Sequence, residues 1–370
     1  MHFSQGLWSK IVWWQRYKFV SLPLIFTLGY NTVDMNEMMS DIYFFSMREV
    51  LKDCLCEVQA SASKFSIPGI SSGFKPLDDL TGGFENGKVY VIGGRPCMGK
   101  EEFMLSMIKD IILESKLPVL LFSTNHMKSD YVERILTIHC DIPTKLLHQG
   151  FLKTDEWERL DKGASTLGDA PLYIHDSLDL PLNELAETAR YCIRGTGASV
   201  IFIDCLQMID FTKEDNNSSG KIAKIMYSLK QLACIINIPI VVGSLLSRGV
   251  EYREGFEGKQ PQLGDLANSS YIEGLADVVM MVHRPEYYHI YKDEYGRDLY
   301  GLMEIFVKKN NLKPSGRFLL EYHQDTGVVC LRKNEVKSAS KPVSLKNLNS
   351  DNKAVKWLIK DFDLDEELPF

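Results

Sequence analysis

Residues 93 to 102 read GGRPCMGKEE. Gly94, then Arg95, Pro96, Cys97 and Met98, then Gly99 and Lys100, have the spacing of a phosphate-binding loop. Backbone N–H groups of such a loop point inward, and the helix that follows adds positive potential at its N-terminus. Lys100 is placed to reach the outer phosphates. A glycine-rich strand-to-helix turn without a ligand has the same spacing, so a second element is needed. VIFID supplies it: Asp204 ends an apolar strand, where a carboxylate orients magnesium. The residue after the lysine would ordinarily be Ser or Thr, whose hydroxyl holds that metal. Here it is Glu101, with Glu102 next.

Glu101 has three readings. It binds magnesium through a carboxylate oxygen, a normal ligand for that ion. It repels a triphosphate: two like charges about 4 Å apart at an effective dielectric of about 20 cost about 4 kcal/mol. Or both acids face solvent on the first helical turn, where the helix dipole favours them.

The elements that must hold these residues are legible in the pattern. KVYVIGG (88–94), PVLLFS (118–123), PLYIHD (171–176), SVIFID (199–204), IPIVVGS (238–244) and DVVMMVH (277–283) read as buried strands. Helical patterns lie between them near 100–115, 129–140, 154–167, 181–194 and 220–236. Such alternation implies an α/β fold, a parallel sheet with helices on both faces. LMEIFVKKN and GRFLLEYH read as an antiparallel pair appended to it. Ahead of the sheet, Asp41 to Ala62 is helical in pattern, with Val50, Leu51, Cys54, Leu55 and Val58 on one face, and SIPGISSG ends it.

The bulk numbers are those expected of a soluble globular protein: 370 residues, 45% hydrophobic and 25% charged. A net charge of −7 excludes a global field that draws the whole chain to nucleic acid. Eight cysteines carry no metal-ligand spacing and read as reduced thiols. Lys10, Arg16 and Lys18 precede an apolar run from Phe19 to Tyr30. That run resembles a signal peptide without a clear cleavage site, and it is shorter than the ~20 residues of a spanning helix. Residues 1–34 therefore read as an extension, either a surface anchor or sequence ahead of a later start at Met35, Met38 or Met39, and the second is favoured. A cytoplasmic protein without a membrane span is expected.

From about Ile70 to Val329 the ordered motifs resemble the DnaB-type replicative DNA helicases of the RecA-like fold. The resemblance is carried by SSGFKPLDDLTGGFENG, GRPCMGK, VLLFS, PLYIHDSLDLPLNELAETAR, VIFIDCLQ, SLKQLACIINIPIVVGS, GDLANSSYIEGLADVVMMVHR and the closing strands. A RadA- or KaiC-type ATPase shares the first motif and fits GRPCMGK and IDCLQ less well. The resemblance implies ATP (or another NTP) and magnesium as cofactors, hydrolysis driving 5′-to-3′ unwinding, single-stranded DNA as a ligand and assembly into a hexamer. It implies a linker helix over 40–66 that docks on a neighbouring subunit, a RecA-like motor over 67–333, and no counterpart of the helical collar that precedes the motor in the family.

Carried over residue by residue, the resemblance exposes departures. The family's catalytic glutamate aligns with Asn125, and an amide cannot take a proton from water. That base is worth about 10²- to 10⁴-fold. The phosphate-sensing glutamine aligns with Leu245, the finger arginine with Asn310, and a DNA-contacting arginine with Ala267. An absent arginine finger costs roughly 10³- to 10⁵-fold in related phosphoryl transfers. Lys100, Asp204, Gln207 and the glycine frame survive, and Lys308 and Lys309 keep positive charge near the finger position. The expectation is a helicase-family fold with an impaired motor; the alternative is a non-catalytic module that oligomerises or docks.

Residues 334–370 read as a polar linker and an acidic tip, DFDLDEELPF. The tip is similar to that of bacterial single-stranded DNA-binding proteins, which docks on replication and repair proteins. There Phe370 would supply ring and carboxylate, Pro369 would stiffen the approach, and Asp361, Asp363, Asp365, Glu366 and Glu367 would supply charge. A solvating acidic tail has the same composition.

Overall fold

The computed structural model describes residues 25–26, 33–34, 47–48, 50–51, 67–176, 181–209, 218–266, 269–311 and 313–332. The chain divides into two compact units, Met1–Ser66 and Ile67–Phe370. In the first, Ile25–Phe26 pairs antiparallel with Val33–Asp34, and Met47, Arg48, Val50 and Leu51 are helical. The remainder of the expected helix over 41–62, Ala267, and the linker and tip over 334–370 lie outside the described residues.

In the second unit a short helix α1 (Lys75–Thr81) precedes strand β1 (Val89–Gly94) and helix α2 (Lys100–Asp110), which continues as a π turn over Ile111–Ser115. Then come β2 (Val119–Ser123), α3 (Lys128–Cys140), α4 (Thr144–Gln149), α5 (Thr154–Gly168), β3 (Leu172–Asp176), α6 (Leu182–Thr196) and β4 (Val200–Asp204). They are followed by α7 (Ser218–Ile236), β5 (Ile240–Leu245), α8 (Gly249–Tyr252), α9 (Gly255–Lys259), α10 (Ser269–Leu275) and β6 (Val278–His283). Strands β7 (Leu302–Asn310), β8 (Gly316–His323) and β9 (Val328–Leu331) close the order.

These strands form one nine-stranded sheet in the order β9-β8-β7-β6-β1-β5-β4-β2-β3. The six strands from β6 to β3 are mutually parallel, and β7, β8 and β9 add on antiparallel. The appended pair expected from the sequence is thus a run of three. Side chains alternate across each strand, so two cores form, one per face. Tyr90, Ile92, Leu121 and Phe202 enter one; Val91, Phe122, Ile201 and Ile203 enter the other. Helix α2 is buried along Phe103–Ile108, because it lies beneath the parallel strands and the antiparallel extension together.

The parallel register sets the functional edge. Ser123 is level with Asp204, and Gly94 is level with Leu245. The carboxyl ends of β1, β2, β4 and β5 therefore align, which is where open α/β sheets bind ligands.

One sequence expectation is corrected. PLYIHD reads as a buried strand, yet β3 is the outer strand of the sheet, and Tyr173 is 42% exposed. Its apolar composition is that of an interior strand; only the order of strands makes it an edge. Helices α1, α4, α8, α9 and α10 and strand β9 are too short to leave a period in the sequence.

Tyr90 fixes the entry to β1. Its hydroxyl accepts from Glu85 N–H at 2.7 Å and donates to Gly83 C=O at 3.0 Å, beneath the edge of the Phe84 ring. Burial pushes the phenol pKa up, so it stays a neutral donor. Tyr90→Phe orphans both backbone groups and is expected to cost about 1–3 kcal/mol, read as a lower midpoint in urea with an unchanged m-value.

Candidate functional site

The loop between β1 and α2 turns on two residues with left-handed backbone, Cys97 (φ 62°) and Gly99 (φ 87°). At Gly99 a Cβ would lie 2.4 Å from Met303 Cε, so the loop packs directly on the antiparallel extension. Lys100 opens α2 and is 5% exposed. Its ammonium donates to Asp204 Oδ1 at 2.5 Å, and Asp204 is fully buried. Burial works against the Lys100 charge, but the Asp204 carboxylate more than offsets it, so the lysine pKa is held above its usual value.

Asp204 is braced from β2 and α3. Tyr131 donates to its Oδ2 at 2.8 Å. Thr124 binds the Asp204 carbonyl through its backbone N–H and its hydroxyl, both at 2.9 Å, and accepts from Cys205 N–H at 2.8 Å. These bonds lock the tip of β2 to the tip of β4. Gly243 keeps β5 clear: a Cβ there would stand 2.9 Å from both Asp204 Oδ1 and Lys100 Nζ.

Glu101 turns toward α3. Its carboxylate pairs with Arg134 and lies 3.3 Å from His126 Nε2. Glu102, half-buried, packs where Gly327 leaves room, and burial raises its pKa. Asn125 is half-buried beside the phosphate loop's edge of the sheet, and its amide nitrogen is 2.9 Å from His126 Nε2. Gln207 bridges β4 to β5, donating to Ser244 Oγ at 2.9 Å and accepting from Leu245 N–H at 3.0 Å. Leu245 therefore contributes its backbone to the site and a half-buried apolar side chain to its rim.

Arg95 donates to Glu251 at 2.7 Å and to the Leu246 carbonyl at 2.9 Å, tying the loop to the segment after β5. Arg284 reaches the loop from the end of β6. It donates to Cys97 C=O at 3.2 Å while stacked 4.2 Å from the Tyr322 ring centre. Pro96 and Cys97 are exposed, and Met98 is buried.

Lys308, Lys309 and Asn310 lie elsewhere. Asn310 is opposite Val278 at the start of β6, at the sheet end away from the phosphate loop. Its amide donates to Leu80 C=O at 2.9 Å and Pro314 C=O at 3.0 Å. Lys309 donates to carbonyls at the end of α10, and Lys308 lies over the Phe306 ring in a β-bulge. The structure thus gathers Arg95, Lys100, Glu101, Asn125, Asp204, Gln207 and Leu245 at one edge and leaves Lys308, Lys309 and Asn310 outside it.

Sequence reasoning missed Thr124, Tyr131, Arg134 and Arg284. Tyr131 and Arg134 share the inward face of α3 at a spacing of three, the one signal that marks them as a pair.

The donor set fits a nucleotide phosphate: a left-handed glycine before a helix N-terminus, a buried lysine, and a carboxylate beside it. The sheet that carries this site has the RecA-like fold. Comparison with known proteins agrees. The family model for the DnaB-like helicase C-terminal domain matches residues 69–328, and the chain belongs to that family. It is 31% identical over 280 residues to the "Probable replicative DNA helicase" of Trieres chinensis, covering 75% of this chain and 60% of that one. It is 32% identical over 276 residues to the "Replicative DNA helicase DnaB" of Rickettsia prowazekii (strain Madrid E), covering 69% of this chain and 56% of that one. The chain thus spans little more than half the length of these curated relatives. Among solved structures it is similar to one described as an ATPase domain, with TM-score 0.71 and 25% identity over 79% of this chain and all of that one. It shares its fold with a DnaB-like replicative helicase solved with its primase interactions, at TM-score 0.71 and 24% identity over 81% of this chain and 70% of that one. Among the described residues no helix is long and apolar enough to cross a membrane.

The Lys100–Asp204 pair yields a test of the site's packing. Gly243→Ala pushes a methyl group between the two charges and is expected to destabilise the chain by about 1–3 kcal/mol. A double-mutant cycle with Lys100→Ala, by urea unfolding, reads how much of that loss runs through the pair.

Proposed function

We propose that this chain is a nucleotide-binding motor domain of the replicative DNA helicase family that holds magnesium-ATP and hydrolyses it slowly. The support is a contrast within one site. The buried Lys100–Asp204 pair keeps the phosphate-binding frame, while Asn125 occupies the place of the base that would activate water. Leu245 has no hydrogen bond to give a phosphate from its side chain. Asp204 and Glu101 are the carboxylates that would hold a magnesium ion, which would supply charge neutralisation at the phosphates. Lys100 binds and orients the outer phosphates, and Asn125 orients a water without deprotonating it.

The Arg134 and His126 contacts bear on the three readings of Glu101. Its carboxylate is held by a cation rather than left facing solvent. Removing it takes away one anion and frees the Arg134 charge beside the loop.

Assembly with further copies, a hexamer as in the resemblance, is part of the proposal, as is single-stranded DNA as the ligand of that assembly. Lys308 and Asn310 lie at the opposite sheet end from the phosphate loop, so they serve a phosphate only on a neighbouring copy. The cytoplasm is the proposed location.

Steady-state hydrolysis with and without single-stranded DNA tests the motor. Turnover is expected well below the usual enzyme range of about 1 to 10³ per second. Glu101→Thr is expected to tighten magnesium-nucleotide binding about tenfold by equilibrium titration. Turnover inside the usual range that Lys100→Ala abolishes would overturn the impaired-motor reading, and weaker binding in Glu101→Thr would make the carboxylate a working metal ligand.

A docking role for the acidic tip is a second proposal, favoured by the apolar Leu-Pro-Phe that follows its acidic run. A labelled peptide of residues 357–370 is expected to bind a protein that takes such tips, less tightly in added salt and far less without Phe370. Equal binding without Phe370 reduces the tip to a solubiliser.

A further inference from the structure

Strands β8 and β9 carry a group of side chains that the nucleotide site does not use. Glu321 and His323 are two residues apart on β8 and so share a face. Cys330 of β9 is the direct cross-strand partner of Glu321. The other face of β8, with Phe318, Leu320 and Tyr322, enters the core, so this trio lies on the outer face of the sheet's end. One ligand atom from each of Glu321, His323 and Cys330 lies within 4.8 Å of the other two. In an antiparallel ladder, directly opposed Cβ atoms are about 5 Å apart and same-face neighbours along a strand about 7 Å. Three side chains from adjacent ladder positions thus converge on one point. Glu321 and Cys330 are half-buried, His323 is exposed, and Cys330 is a thiol outside any disulfide.

Glu321 and His323 also border an open groove of about 610 Å³. Glu286, Asp298, Glu321 and Asp325 outnumber Arg332 in its lining, so the local potential favours a cation.

We propose that Glu321, His323 and Cys330 bind a zinc ion that clips β9 to β8. A thiolate, an imidazole and a carboxylate form the mixed donor set of zinc; magnesium and calcium take oxygen alone. This ion is therefore chemically separate from the magnesium of the nucleotide site. Zinc bonds of about 2.0–2.3 Å set tetrahedral ligand atoms about 3.3–3.8 Å apart, so the trio closes by roughly 1 Å through side-chain rotation alone. Water fills the fourth position on the groove side. Binding converts the Cys330 thiol to thiolate and releases its proton to solvent, so affinity rises with pH. The clip holds β9 (Val328–Leu331), and with it the point where the chain leaves the sheet.

The test titrates the full chain with Co²⁺ in excess magnesium, follows the thiolate-to-cobalt charge-transfer absorption, and then adds Zn²⁺. One equivalent of Co²⁺ is expected to give the absorption, and Zn²⁺ is expected to remove it. Cys330→Ser and His323→Ala are each expected to abolish the absorption and weaken binding at least tenfold, with circular dichroism unchanged. Cys234→Ser, on α7, is expected to keep both. Zinc is expected to raise the melting temperature of the unmodified chain and not of Cys330→Ser. Absence of the absorption, or its survival in folded Cys330→Ser, overturns the proposal.

Discussion

The site depends on burying two opposite charges together. Lys100 and Asp204 are both inside the protein, where either alone would be strongly destabilising. They tolerate burial because they meet at 2.5 Å and because Tyr131 takes the remaining carboxylate oxygen. That requirement constrains four elements at once. β1 must deliver its loop to the edge where β4 ends, β5 must pass between them without a side chain at Gly243, and α3 must turn Tyr131 inward. The parallel register that levels Gly94 with Leu245 and Ser123 with Asp204 is the backbone form of the same constraint.

Around this pair the frame and the chemistry separate. On the proposed reading, glycines, strand ends and the lysine define where a phosphate goes, and Asn125, Leu245 and Glu101 define what happens to it. A glutamate after the loop lysine is accommodated because Arg134 is one helix face away and His126 is within reach. On the proposed reading, Arg134 of α3 offsets part of the charge that the loop presents to a triphosphate. The replacement is then part of a rebuilt local network rather than an isolated lesion. Arg284 serves the frame in a similar way: it stacks on Tyr322 and holds Cys97 C=O, so the antiparallel extension buttresses the loop.

How much was legible follows from how local each signal is. The phosphate loop is a contiguous spacing, and Asp204 ends an apolar run, so both could be read directly. The parallel sheet could be read because its strands are contiguous apolar runs and their connections helical. Tyr131 and Arg134 could not, since nothing in YVERILTIHC says that α3 faces the loop about 30 residues earlier. The edge position of β3 was hidden because PLYIHD has interior composition, and only strand order decides exposure. The Glu321–His323–Cys330 group was invisible to cysteine spacing. Its members are brought together by a cross-strand pairing, so the cysteines taken alone carry no ligand pattern.

In the proposed assembly, the sheet's two ends would divide the labour between copies. Tyr90 is level with Val278 and Val278 with Asn310, so Gly94 lies about 13 Å further along the strand direction than Asn310. A group on the far end of β7 cannot reach its own chain's phosphate loop. If copies assemble, that end is what each chain offers to the next. There, Asn310 is engaged by two carbonyls and Lys309 by the carbonyls that end α10. Lys308 is left on its bulge over Phe306, with burial and Arg317 both lowering its pKa. On the proposed reading, the contribution from a neighbour would be weakened by the same kind of change that puts Asn125 in place of a base. Losses within the site and across the subunit boundary would then coincide, as they should if hydrolysis, rather than folding or nucleotide contact, is what this chain has given up.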